Sequence, residues 1–243
     1  MENTENQVAE EQVTDKKSKK KKLTKFEKWF RTMRRFHRIV MKPIYPYKKH
    51  GHVENFNDRS YIIVGNHLSV LDVIPAAMAT DKPIHYMAKK ELFEKGLGKW
   101  FTKKCECIPV NRDGNDVRAI MQAMKYLKSG GIVCMFPEGT RNKTDQLFLP
   151  FKSGATALSI KTRTPIIPMI QVTKIKAFKK QHILYGEPFE FTEYYDKKLT
   201  PEDIETCDEI LRQKLEDMYY ELKEILDSKK KKNKKNENNH GKE

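Results

Sequence analysis

The sequence predicts an α/β fold: a mostly parallel, twisted sheet flanked by helices, with an N-terminal amphipathic helix at a membrane interface. Three observations carry that reading. Short apolar runs such as Tyr61-Ile62-Ile63-Val64 alternate with longer segments whose apolar residues recur every three or four positions. Glycine or proline often closes a run, and polar residues of chemical interest stand close behind. Charge is unevenly placed: of a formal +15, residues 16–49 hold fifteen Lys and Arg against the single acid Glu27, a net +14. Residues 1–15 carry −5 and residues 228–243 carry +5, leaving about +1 on residues 50–227. A basic segment on a near-neutral body points to a polyanionic surface, either membrane headgroups or nucleic acid. A chain of 243 residues is long enough for one sizeable core.

In chain order, residues 1–24 are polar, rich in lysine towards their end, and expected to be a disordered tail. Residues 25–46 form the amphipathic segment. Phe26, Trp29, Phe30, Met33, Phe36 and Val40 share one face of a helix over 25–41, while Lys25, Lys28, Arg31, Arg34, Arg35 and Arg38 fill much of the rest. Bulky aromatics opposite a basic face describe a helix lying in a bilayer interface; the same face can instead pack on the protein's own core. Pro43 and Pro46 end the helix and open a linker.

The body is read over residues 47–228. Strand 61–64 ends at Gly65, and a helix follows over 69–79. Strand 84–87, helix 90–103 and strand 107–110 come next. Helix 115–128 turns Val117, Ile120, Met121, Met124 and Leu127 inward, and Ser129-Gly130-Gly131 stops it. Strand 132–135 leads into a turn. A helix from Ser153 to about residue 163 precedes strand 166–170, which Pro165 and Pro168 confine to an edge or a strand end. Strand 183–185 and a helix opened by Pro201 and running to about residue 227 complete the body. Residues 229–243 are a Lys/Asn tail expected to be disordered.

No apolar run approaches the ~18–20 residues that span a bilayer. The acidic N-terminus has no apolar segment of the signal-peptide kind, so Cys105, Cys107, Cys134 and Cys207 are expected as free thiols in a reducing cytoplasm. Cys105-x-Cys107 lacks the partner spacing of a zinc site, and no metal is expected.

The chemistry lies in the turns. Residues 66–72 read Asn-His-Leu-Ser-Val-Leu-Asp. His67 follows a strand and a glycine at a helix entry, the carboxyl edge where α/β sheets bind ligands. Imidazole titrates near neutrality and suits removal of a hydroxyl proton. Asp72 lies five residues on, about 140° away on a straight helix, so the two meet only if His67 precedes the helix and folds back over its first turn. Asp72 then orients the ring, as the third member of a triad does. Residues 136–141 read Phe-Pro-Glu-Gly-Thr-Arg, again directly after a strand. Gly139 permits close approach of an anion, Thr140 adds a hydroxyl and Arg141 a planar fork suited to phosphate. Glu138 is expected to orient Arg141 or to accept from a substrate hydroxyl. Arg112 follows a third strand. Ser69 lacks the G-x-S-x-G setting of an acyl-forming serine. A base beside a phosphate clamp suggests acyl transfer to the hydroxyl of a phosphorylated alcohol.

With those residues in place, the sequence resembles the 1-acylglycerol-3-phosphate acyltransferases of the glycerolipid acyltransferase superfamily. Four blocks match in order: 66–72, 108–112 (Ile-Pro-Val-Asn-Arg), 136–141 and 165–169 (Pro-Ile-Ile-Pro-Met). Lys89-Lys90-Glu91-Leu92 resembles the stretch before the second block. The likeness spans about residues 45–190. Asn111 stands where many members carry Asp. The resemblance implies transfer of a fatty acyl group from acyl-CoA or acyl carrier protein to the sn-2 hydroxyl of lysophosphatidic acid, yielding phosphatidic acid, with no cofactor beyond that donor. It casts His67 as base and Asp72 as its partner. Asn66, Lys89, Arg112, Glu138, Gly139, Thr140 and Arg141 fall to substrate binding. The expected setting is peripheral, on the cytoplasmic side of a membrane bearing anionic lipids. The same site would serve a superfamily member acting on glycerol 3-phosphate, a lysophospholipid or a lyso-aminolipid. A non-enzymatic polybasic binder is the reading from another class; an intact His67 and Asp72 and the near-neutral body speak against it, and no nucleic-acid partner is expected.

Overall fold

Seven strands form one sheet in the order β1-β7-β6-β2-β5-β3-β4 in the computed structural model, which describes residues 23–52, 56–111 and 116–240 and, of those, the side chains up to residue 231. The strands are β1 (Tyr47–Gly51), β2 (Tyr61–Gly65), β3 (Ile84–Lys89), β4 (Ile108–Val110), β5 (Ile132–Met135), β6 (Ile166–Gln171) and β7 (Gln181–Tyr185). From β6 to β4 all neighbours are parallel; β7 runs antiparallel to β6, and β1 follows β7. Alternation along β2 shows how both faces are covered. Ile62 and Val64 enter one apolar layer with Ala123, Leu158, Leu211 and Leu215, whereas Tyr61 and Ile63 enter the other with Phe30, Ala76, Ile84 and Tyr185. The helices are α1 (Lys25–Phe36), α2 (Val73–Ala79), α3 (Gly96–Lys104), α4 (Val117–Lys128), α5 (Gly154–Thr162) and α6 (Pro201–His240).

Several expectations need correction. No strand is expected over residues 47–51 at the start of the body, where Tyr-Lys-Lys-His-Gly has no apolar alternation; β1 forms there as an edge strand, where lysines deter further pairing. β6 is interior despite Pro168. The Pro168 carbonyl accepts from the Gly186 N–H, so the missing donor faces the side where β7 has just ended and breaks no ladder bond towards β2. The inner face of α4 is Ala119, Ala123 and Leu127, with Ile120 and Met124 partly covered; Val117 and Met121 are each 64% exposed. The two alanines let the helix lie close to the sheet, and that closeness outweighs the larger apolar residues one position round. The final helix continues past 227 into the Lys/Asn segment as far as His240, since the sequence offers no Gly or Pro between Pro201 and Gly241.

The N-terminal segment divides in two. Thr24 and Glu27 cap α1 reciprocally, and the helix continues through a π-turn (His37–Met41) to a last turn at Lys42–Ile44 that contains Pro43. Phe26, Phe30, Arg34 and His37 face the body and are buried, Arg34 pairing with Asp81. Arg34 thus lies on the inward side, not on the basic outer face that the periodicity predicts. Met33, Phe36, Ile39 and Val40 remain exposed. Residues 1–22, expected to form most of a disordered tail, lie outside the described residues.

Candidate active site

β6, β2, β5, β3 and β4 are consecutive and run the same way, so Gln171, His67, the 136–141 turn, Lys89 and Asn111 leave the sheet at one edge. Gly65 makes a close strand approach there: a Cβ on it would meet the Met169 carbonyl oxygen at 2.8 Å. The chain therefore leaves β2 hard against β6 before His67.

His67 does precede the helix and folds back. A 3-10 turn (Val70–Asp72) opened by Ser69 brings Asp72 under the preceding backbone. Asp72 Oδ2 accepts from the N–H groups of Leu68 (2.6 Å) and Ser69 (2.7 Å) and lies 2.9 Å from His67 Nδ1. Its other oxygen accepts from Gln171 Nε2 at 2.5 Å. Asp72 is fully buried, and these donors make a carboxylate tolerable there. A carboxylate that only accepts fixes the imidazole proton on Nδ1, so Nε2 carries the lone pair. The ring stacks on Phe136, centroids 4.2 Å apart and planes 11° apart, and the His67 side chain is 16% exposed.

The 136–141 turn closes on a Gly139 N–H donation to the Phe136 carbonyl. Gly139 has φ +66, a conformation that favours glycine; a Cβ there would come to 3.1 Å from the Lys152 side chain, whose flexible end can give way. Glu138 is held by backbone, and no bond from it to Arg141 is seen among the described residues. Its oxygens accept from the backbone N–H groups of His67 (2.8 Å) and Leu149 (2.9 Å), and burial raises its pKa against those stabilising bonds. It braces the two motifs against each other. Asn142 adds a second brace, its N–H donating to the His67 carbonyl at 2.7 Å.

Asn66 is buried and pairs with the Gln171 backbone at both its N–H and its carbonyl, so it locks β2 to β6 and does not face substrate. Thr140 and Arg141 are exposed beside Asn142. Lys89 is exposed at the end of β3 and ion-paired with Glu91 at 3.0 Å. Arg112 lies outside the described residues; the flanking chain is drawn together by Asn111 N–H donation to Asp116, which also caps α4. The 165–169 block is structural core: residues 166–169 are buried in β6, and Pro165 is buried just before it. Sequence reasoning missed Gln171. Its only signal is a polar residue closing an apolar run, which gains meaning once β6 is known to lie beside β2. Among the described residues no group of three or more His, Cys, Asp or Glu could hold a metal.

A buried carboxylate orienting an imidazole at the carboxyl edge of a parallel sheet, beside a glycine turn ending in arginine, has the chemistry to take a proton and to meet an anion. The sequence model of the Acyltransferase family matches residues 48–172, spanning this whole arrangement, and the chain belongs to that family. Within it, the chain is similar to a 1-acyl-sn-glycerol-3-phosphate acyltransferase of Bacillus subtilis (strain 168): 31% identical over 175 residues, covering 69% of this chain and 85% of that protein. An enzyme of the same name from Helicobacter pylori (strain J99) is 33% identical over 131 residues, covering 53% of this chain and 55% of that protein. The crystal structure of the 1-acyl-sn-glycerophosphate acyltransferase PlsC from Thermotoga maritima superposes with a TM-score of 0.55 at 22% identity, covering 79% of this chain and 77% of that one, and shares the fold.

Proposed function

We propose that this chain transfers a fatty acyl group from a CoA or carrier-protein thioester to the sn-2 hydroxyl of 1-acylglycerol 3-phosphate, forming phosphatidic acid. The observation that carries the proposal is the His67–Asp72 pair, in which Asp72 takes Nδ1 and leaves Nε2 as the basic nitrogen, at the edge that also bears the 136–141 turn. Arg141, together with Arg112, receives the acceptor phosphate, and Thr140 adds a hydroxyl. Nε2 of His67 removes the proton from the acceptor hydroxyl as its oxygen attacks the thioester carbonyl. The C–O bond forms, the C–S bond breaks, and the imidazolium returns its proton to the leaving thiolate. Asp72 holds the ring and stabilises its charge. The step uses only side chains and the donor.

Both acceptor and product are membrane lipids. The outward face of α1 and of the π-turn that continues it, with Met33, Phe36, Ile39 and Val40 among Arg31, Arg35 and Arg38, supports docking on an anionic bilayer. Among the described residues no helix is long and apolar enough to cross a membrane. Purified protein incubated with lysophosphatidic acid and each thioester should yield phosphatidic acid, and His67→Ala should lose at least about a thousandfold in kcat with an unchanged circular dichroism spectrum. Full activity in that variant would remove the base assignment. Turnover of glycerol 3-phosphate or a lysophospholipid in preference to lysophosphatidic acid would replace the acceptor.

A further inference from the structure

The connection from β6 to β7 leaves the sheet one residue after Gln171, the residue bonded to Asp72, and so begins at the reactive edge. It contains Lys174, Lys176, Lys179 and Lys180, all exposed, and no acidic residue occurs from Val172 to Gly186. At its tip Phe178 is 79% exposed and has φ +58. Bulky side chains rarely adopt this left-handed backbone, and an exposed phenyl ring gains nothing from it in water. The conformation is tied down by the Phe178 N–H, which donates to the Ile44 carbonyl in the last turn of the N-terminal helical segment. Ile39 and Val40, about one turn earlier, are 63% and 44% exposed. A single exposed Phe is ordinary. A strained one ringed by lysines and fastened beside a second apolar patch calls for an apolar phase bordered by anions.

We propose that residues 173–180 are a second membrane-docking element, acting with α1. Phe178 enters the boundary between headgroups and acyl chains of an anionic leaflet, and the four lysines meet lipid phosphates. The inference rests on the membrane reading above and adds the part that sets the height of the bilayer against His67. With α1 alone the protein could pivot about one helix; a second contact off the helix axis, at the loop tied to Ile44, holds the reactive edge towards the lipid. An acidic carrier protein would also be drawn to the lysines, but it gives the exposed ring no apolar phase to enter.

The test floats the full chain on vesicles of equimolar phosphatidylcholine and phosphatidylglycerol, alongside Phe178→Ala, Phe178→Gly and a variant with all four lysines changed to Gln. Wild type should float, and both Phe178 variants should bind about tenfold more weakly. Phe178→Gly relieves the left-handed strain, so it should melt no lower than wild type while still losing binding. Turnover of a short-chain, water-soluble lysophosphatidic acid should stay at the wild-type level in all three. If wild type itself fails to float, the membrane reading falls and this inference with it. If wild type floats and Phe178→Gly floats equally well, this inference alone is overturned. Vesicle binding untouched by the lysine changes, with kcat/KM lowered only for acyl carrier protein thioester, would assign the loop to that carrier.

Discussion

Asp72 accepts from backbone, imidazole and the Gln171 amide while having no exposed surface. A side chain so enclosed orients and does not react, and its precision depends on the donors around it. Gln171→Ala should lower kcat by about tenfold and leave the acceptor KM unmoved, because ring alignment is lost and phosphate binding is not; steady-state kinetics on both substrates separates the two. Glu138 carries a different load. Its removal as Glu138→Ala leaves two backbone N–H groups without their acceptor, so urea unfolding should show a loss of about 2–3 kcal/mol. An unaltered midpoint would mean that water replaces the carboxylate. His67, Asp72 and the glycine turn were legible in the sequence because each chemical group sits within a few residues of a strand end. Gln171 and the bracing role of Glu138 were not, since both depend on which strands are neighbours, and nothing local states that β6 lies beside β2.

At the scale of elements, α1 behaves as part of the body and as surface at once. His37 lies on its inward side, 6% exposed, with neither ring nitrogen hydrogen-bonded among the described residues and the ring tilted against Tyr47. Burial first, and the Lys42 charge second, lower its pKa. Arg34 and Lys49 add positive charge around the same seam, while Asp81 is spent on Arg34. A depressed histidine pKa means that the folded state favours the neutral ring. The stability it contributes is complete above the unfolded pKa of about 6.5 and is lost as pH falls from there towards the lower folded value. Melting temperature measured from about pH 7.5 to about pH 5 should therefore fall less steeply in His37→Leu than in wild type; parallel curves would show that the ring does not titrate in this window. Periodicity found α1 correctly but misjudged its rotation, placing Arg34 outside, because the pattern of aromatic residues is broad enough to serve both the core and the outer face. The same limit misphased α4, where small alanines and not the larger Val117 and Met121 meet the sheet.

For the molecule as a whole, the two apolar layers enclose all four thiols. Cys105, Cys107, Cys134 and Cys207 are free and buried. Burial pushes the Cys207 thiol up to about 11 and the Cys134 thiol higher still. Neutral or alkaline thiol reagents should react with native protein far more slowly than with protein in guanidinium, where all four should titrate; rapid modification of the native state would show that one layer opens readily. Charge follows the opposite plan, gathered towards the N-terminal segment and the lysine loop. Because Phe30 belongs to the same apolar layer as Ile84 and Ala76, the N-terminal helix is not a detachable anchor. Trimming it would uncover part of the interior and invite aggregation. Recolouring only the outward side of this helix and the π-turn after it, with glutamine at Phe36, Ile39 and Val40, would leave that interior closed, so the fold should survive while the proposed membrane docking weakens.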